Sequence, residues 1–147
     1  MIKLRIKPEI VQIEPNGYHL LIPATISYKK VFFIIDTGAS QSIFNIDAEV
    51  FDDIEKTIAE DDRKSSGINA NLTGIYHGII PKMNLADHCI NNFETLFMTF
   101  EHINNIYEQY INYTIDGIIG GDFLHNYKAI IDYSKLEILL HIKQTDK

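Results

Sequence analysis

Asp36 follows four apolar residues, Phe32-Phe33-Ile34-Ile35, and is followed by Thr37-Gly38-Ala39-Ser40. A carboxylate at the end of so apolar a run is costly to bury without partners. Held in place, it can take up or give a proton. Gly38 lets the backbone turn beside the carboxylate and brings N–H groups near it. Thr37 adds a hydroxyl that can bond across to a neighbour. Taken alone, the triplet also fits an ordinary strand end with an Asp-Gly-type turn. A second segment, Asp116-Gly117-Ile118-Ile119-Gly120-Gly121-Asp122-Phe123-Leu124, again runs apolar residues into glycine.

Other reactive side chains form no comparable pattern. Cys89 follows His88, but neighbours in a strand point to opposite faces and cannot pair directly. A lone cysteine reads as a small buried residue. The histidines at 19, 77, 88, 102, 125 and 141 show no metal-ligand spacing, so no metal and no cofactor is expected. Asp52-Asp53 and Asp61-Asp62 read as a solvated face and a helix end.

The elements that must position Asp36 are mostly strands. Ile2, Leu4 and Ile6 alternate with Lys3, Arg5 and Lys7, the mark of a strand with one apolar face. Pro15-Asn16-Gly17 is a turn signal leading into 18–22. After Pro23 comes a strand over 24–28, and Lys29-Lys30 is the expected hairpin turn before 31–35. That last run, rich in β-branched residues, predicts a strand buried on both faces. Ile46, Val50, Phe51, Ile54 and Ile58 fall at helical spacing, with Asp47 as N-cap and Ile46 and Phe51 at the staple positions. One hairpin is expected over 65–81, turning at 69–74, and another over 83–100, turning at Ala86-Asp87-His88. The stretch 101–114 reads as a polar loop with a helical turn. A strand over 115–121 then enters a short helix capped by Asp122, and 129–133 and 136–142 close the chain as a hairpin.

With these motifs in order, the chain resembles the retropepsin-like aspartic peptidases, in their single-domain bacterial form. In that family an apolar strand enters Asp-Thr-Gly-Ala or Asp-Thr-Gly-Ser, matched here by Ile35-Asp36-Thr37-Gly38-Ala39-Ser40. A later apolar-apolar-Gly strand leads into a short helix, matched by Ile118-Ile119-Gly120 and Asp122-Phe123-Leu124. Ile130-Ile131-Asp132-Tyr133 and 138–140 resemble the final strands. The resemblance runs from about Tyr18 to Ile142. It implies a mostly β chain, a closed β-barrel of the acid-protease fold with one moderate and one short helix, in a single domain over 1–147.

The resemblance also implies an aspartic endopeptidase. Asp36, Thr37 and Gly38 are then the catalytic residues, and Ala39, Ile68, Gly74 and Tyr76 contact substrate. The flap expected over Ile68–Tyr76 lacks the Gly-rich tip of viral members. No second Asp-Thr-Gly or Asp-Ser-Gly occurs, so a two-aspartate site requires a homodimer. Thr37 of each copy would bond across the two-fold axis. A second reading, a non-catalytic peptide-binding or assembly module that keeps the fold, stays open.

Composition bounds these readings. Hydrophobic residues make up 46% and charged residues 22% of the 147, a globular balance. The net charge of −7 argues against a nucleic-acid surface, which needs clustered Lys and Arg. One cysteine allows no internal disulfide. No apolar run approaches the roughly 20 residues that span a bilayer, so no membrane partner is expected. The charged, alternating start is unlike a signal peptide, which favours the cytoplasm. The expected partner is a peptide or protein substrate.

Overall fold

The structure, a computed structural model, describes residues 1–59 and 74–143. Strand β1 (Ile2–Ile6) buries Leu4 and Ile6 and exposes Lys3 and Arg5, as the alternation requires. It pairs antiparallel with β11 (Glu137–Ile142), whose other edge takes β10 (Ile130–Asp132). This three-stranded sheet contributes Leu4, Ile6, Ile138, Leu140 and Ile142 to the main core.

The remaining strands build a barrel. Strand β3 (Gly17–Ile26) pairs with β4 (Lys29–Ile35), β4 runs parallel to β9 (Gly117–Ile119), and β9 pairs with β5 (Ile43–Asn45). Strand β5 runs parallel to β8 (His88–Met98), and β8 pairs with β7 (Tyr76–Leu85). A single pairing of Thr25 with Asn84 joins β7 to β3 and closes a ring of six strands. Two short strands flank it: β2 (Glu9–Glu14) on β3, and β6 (Thr57–Ile58) on β7.

Strand β4 carries the burial expected of it. Val31 and Phe33 face one apolar cluster, while Ile34 faces a second with Leu21, Phe100, Tyr107 and Ile115. A strand that divides two cores must be apolar on both faces, and that is why 31–35 has no polar residue.

Several expectations are corrected. The helix expected over 46–58 is a single 3-10 turn, Glu49–Phe51. Ile46 is held by its N–H on Met98 O (2.9 Å). Asp47 caps nothing, because its carboxylate accepts from Thr99 Oγ1 (2.8 Å). Ile46, Val50, Phe51 and Ile54 do pack on the main core, whereas Ile58 is 73% exposed. The apolar spacing thus reflects a segment draped over the barrel, with Lys56 Nζ donating to the carbonyls of Phe51 and Ile54.

The longer helix lies instead at α1 (Glu101–Tyr107), in the segment read as mainly loop. The short helix α2 (Gly121–Asn126) stands where expected, but Asp122 sits inside its first turn rather than at the cap. The β3–β4 hairpin turns at Ser27 and Tyr28, both with positive φ, and Lys29 already belongs to β4. Pro23 does not break β3. Phe32, opposite it, directs its carbonyl at the Asp116 N–H (2.9 Å). The Pro23–Phe32 pair is therefore a non-hydrogen-bonded one, where the missing N–H costs the ladder nothing. The turn expected over 69–74 and the polar loop at 61–64 fall largely or wholly outside the described residues. No helix among those described is long and apolar enough to cross a membrane.

Candidate active site

Asp36 emerges where β4 leaves the barrel. Its N–H donates to Ile119 O on the parallel strand β9 (2.9 Å), and its own carbonyl accepts from Ala39 N–H (3.1 Å). Gly38 N–H donates to Asp36 Oδ1 at 2.9 Å. A Cβ on residue 38 would lie 3.2 Å from that oxygen, so glycine lets backbone and carboxylate meet closely.

The loop after Asp36 is clamped by the start of α2. Gly121 N–H reaches Ala39 O (2.7 Å) and Asp122 N–H reaches Ser40 O (3.1 Å). Asp122 Oδ1 accepts from both the N–H (2.9 Å) and the hydroxyl (2.7 Å) of Ser42. Ser42 Oγ in turn accepts Gly120 N–H (2.9 Å), and Ser42 O accepts the Thr95 hydroxyl (3.1 Å). At Gly120 a Cβ would come within 2.7 Å of Ala39 O and 2.9 Å of Gln41 O. Only glycine lets the two backbones pass so closely, which accounts for the apolar-apolar-Gly segment physically.

Asp36, Thr37 and Gly38 are solvent-exposed in the single chain, and Ala39 is half-buried. The four expected residues of this loop thus stand together, with the carboxylate on the surface rather than buried. Asp36 and Thr37, but not Gly38 or Ala39, line a cleft of about 600 Å³ whose lining also includes Ile35, Ile118, His19 and Tyr107. Gly74, exposed with positive φ, precedes β7, and Tyr76, half-buried, is the first residue of that strand. Tyr76 packs on the main core and pairs across to Phe97 and Ile58. Ile68 lies outside the described residues. Among those described, no three His, Cys, Asp or Glu side chains converge as a metal site. Cys89 Sγ lies 3.7 Å from Asn91 Oδ1.

Sequence reasoning missed His19 and Tyr107. The Tyr107 hydroxyl and His19 Nδ1 are hydrogen-bonded at 2.7 Å, with their rings edge to face. Burial, and then the negative charge of Asp36, push the Tyr107 phenol up to about 12. No local pattern signals a pair 88 residues apart.

A family model described as aspartyl protease matches residues 22–123, from β3 into α2 and across both Gly-containing motifs. The chain belongs to the aspartyl protease family. Its fold is retropepsin-like. Among solved structures, this aspartyl protease chain is similar to the retroviral protease-like domain of Ddi1 from Leishmania major. The TM-score is 0.53 and the identity 20%, over 88% of this chain and 98% of that one. It also aligns with a retropepsin-like aspartic protease from Rickettsia conorii, with TM-score 0.49 and 14% identity, over 94% of this chain and 89% of that one. No curated protein matches it in sequence.

Proposed function

We propose that the chain is an aspartic endopeptidase that acts as a homodimer, each copy supplying one Asp36. The observation that carries this reading is the exposed Asp36 carboxylate, held by Gly38 N–H at 2.9 Å on a loop clamped by β9 and α2. An acid so firmly placed, and opening on a cleft, is arranged for chemistry rather than for packing.

Two such carboxylates about a two-fold axis cannot both ionise at short range, so the pair shares a proton. The ionised member takes a proton from water while the protonated one donates to the scissile carbonyl oxygen. The two pKa values belong to the pair and not to either residue. The peptide lies extended in the cleft, adding a strand to exposed backbone, with Ala39, Ile68, Gly74 and Tyr76 as contacts. Thr37 hydroxyls tie the two loops together.

The test is hydrolysis of a casein-like substrate by Asp36→Asn. Asparagine keeps the shape but can serve as neither acid nor base. Turnover is expected to vanish while the circular dichroism and melting profile are retained. Wild-type turnover by the variant would show that Asp36 is not catalytic. Wild-type activity is expected to peak at acidic pH and to be indifferent to EDTA.

A further inference from the structure

One wall of the Asp36 cleft comes from outside the Asp-Thr-Gly loop. Ile103 and Tyr107 both line the cleft. They stand four residues apart on α1, so they share one helical face. Two ties hold that face. Tyr107 is bonded to His19 Nδ1 at 2.7 Å, with ring centroids 5.6 Å apart at 86°. Asn104 donates to Ile115 O (3.0 Å) and accepts Ile115 N–H (2.7 Å). The second tie anchors α1 just ahead of β9, which carries the cleft residue Ile118 and the carbonyl that accepts Asp36 N–H. The helical wall is thus tied to β3 and to the residue ahead of β9, and the carboxylate to β9 itself.

We propose that the Ile103–Tyr107 face of α1, with His19, is the specificity-determining wall of the cleft, admitting one bulky apolar substrate side chain beside the scissile bond and limiting its size. The proposal rests on the reading of Asp36 as the catalytic acid. The cleft is of the size that holds small ligand groups, about 300–1,000 Å³. Ile103 and Ile118 offer apolar surface, and the Tyr107 hydroxyl and His19 Nδ1 are committed to each other. The apolar lining, Ile103 and Ile118 with Ile35 and Ile131, would strip water from a charged substrate side chain, and an acidic one would also face the Asp36 carboxylate in the same cleft. Tyr107 stays a neutral phenol through the working range, so the wall does not gain a charge from it.

The experiment is cleavage of a peptide library varied on both sides of the scissile bond by wild type, His19→Ala, His19→Gln and Tyr107→Phe. Loss of the imidazole ring in His19→Ala opens the wall. The preference for large aromatic over Leu-sized side chains is expected to rise about tenfold in kcat/KM, the scale of small size changes in an apolar pocket. The change should fall on KM and on the order of preference more than on kcat. His19→Gln, which keeps an acceptor for the phenol, should move the preference back toward wild type.

The same peptides are also titrated against the Asp36→Asn chain with and without His19→Ala, and Kd should reorder in the same sense. A wild-type chain that cleaves no peptide would defeat the proteolytic reading alone, while the binding order would still decide the wall. A uniform drop in activity or affinity, with the order unchanged in every variant that folds, would overturn the proposal.

Discussion

At the scale of single residues, burial and charge act together on two tyrosines. The Tyr107 phenol is pushed up to about 12 by burial and by Asp36. Tyr113 is pushed up to about 12 by burial, by its hydrogen bond to Glu9 Oε1 (3.0 Å) and by that carboxylate's charge. A folded-state pKa above the unfolded value of about 10 means the folded chain holds its proton longer. The associated stability is complete below pH 10 and is lost as pH rises toward 12. Urea unfolding across this window should show stability falling with pH, with a shallower fall in Tyr107→Phe. A slope the same in variant and wild type would contradict the assignment.

At the scale of elements, the decisive junction is where β9 and the start of α2 meet the Asp36 loop. Ser42 is fully buried and links both sides, giving its hydroxyl proton to Asp122 and receiving Gly120 N–H. Ser42→Ala removes both bonds and leaves the Gly120 N–H unpaired. The expected cost is about 1–3 kcal/mol, read by chemical denaturation. Because the junction holds the candidate carboxylate, kcat should fall as well, and hydrogen exchange should quicken at Gly120 before it does in β1 and β11. Unchanged stability would mean that the clamp is incidental.

At the scale of the whole molecule, one chain supplies one Asp-Thr-Gly carboxylate, and Asp36 and Thr37 lie exposed. If the working site needs two copies, specific activity must fall once the chain is diluted below its dimer dissociation constant. Thr37→Ala should weaken the dimer by about 1–3 kcal/mol if its hydroxyl bonds across the axis. Sedimentation and activity measured over one dilution series check both. A monomer that cleaves peptide at constant specific activity would refute the two-aspartate model.

Where burial pattern and chain-local chemistry suffice, the order of residues is enough to specify the outcome. The alternation in β1, the two-sided apolar run of β4 with Asp36 at its end, and the terminal β10–β11 hairpin were legible, because each depends on residues next to one another. The family resemblance rested on two such runs. What joins them emerges in the folded chain. Barrel closure through Thr25 and Asn84, the parallel β4–β9 pairing, and the Ser42–Asp122 clamp across 80 residues are partnerships that no local period encodes. The segment over 46–58 shows the same limit from the other side. Ile46, Val50, Phe51 and Ile54 do reach the core, as their spacing suggested, whereas Ile58 does not. Whether they do so as a helix depended on competing partners: Met98 O for Ile46 and Thr99 for Asp47. The His19–Tyr107 wall needed the fold most of all, since a histidine on β3 and a tyrosine on α1 acquire a shared role only once the barrel brings them together beside Asp36.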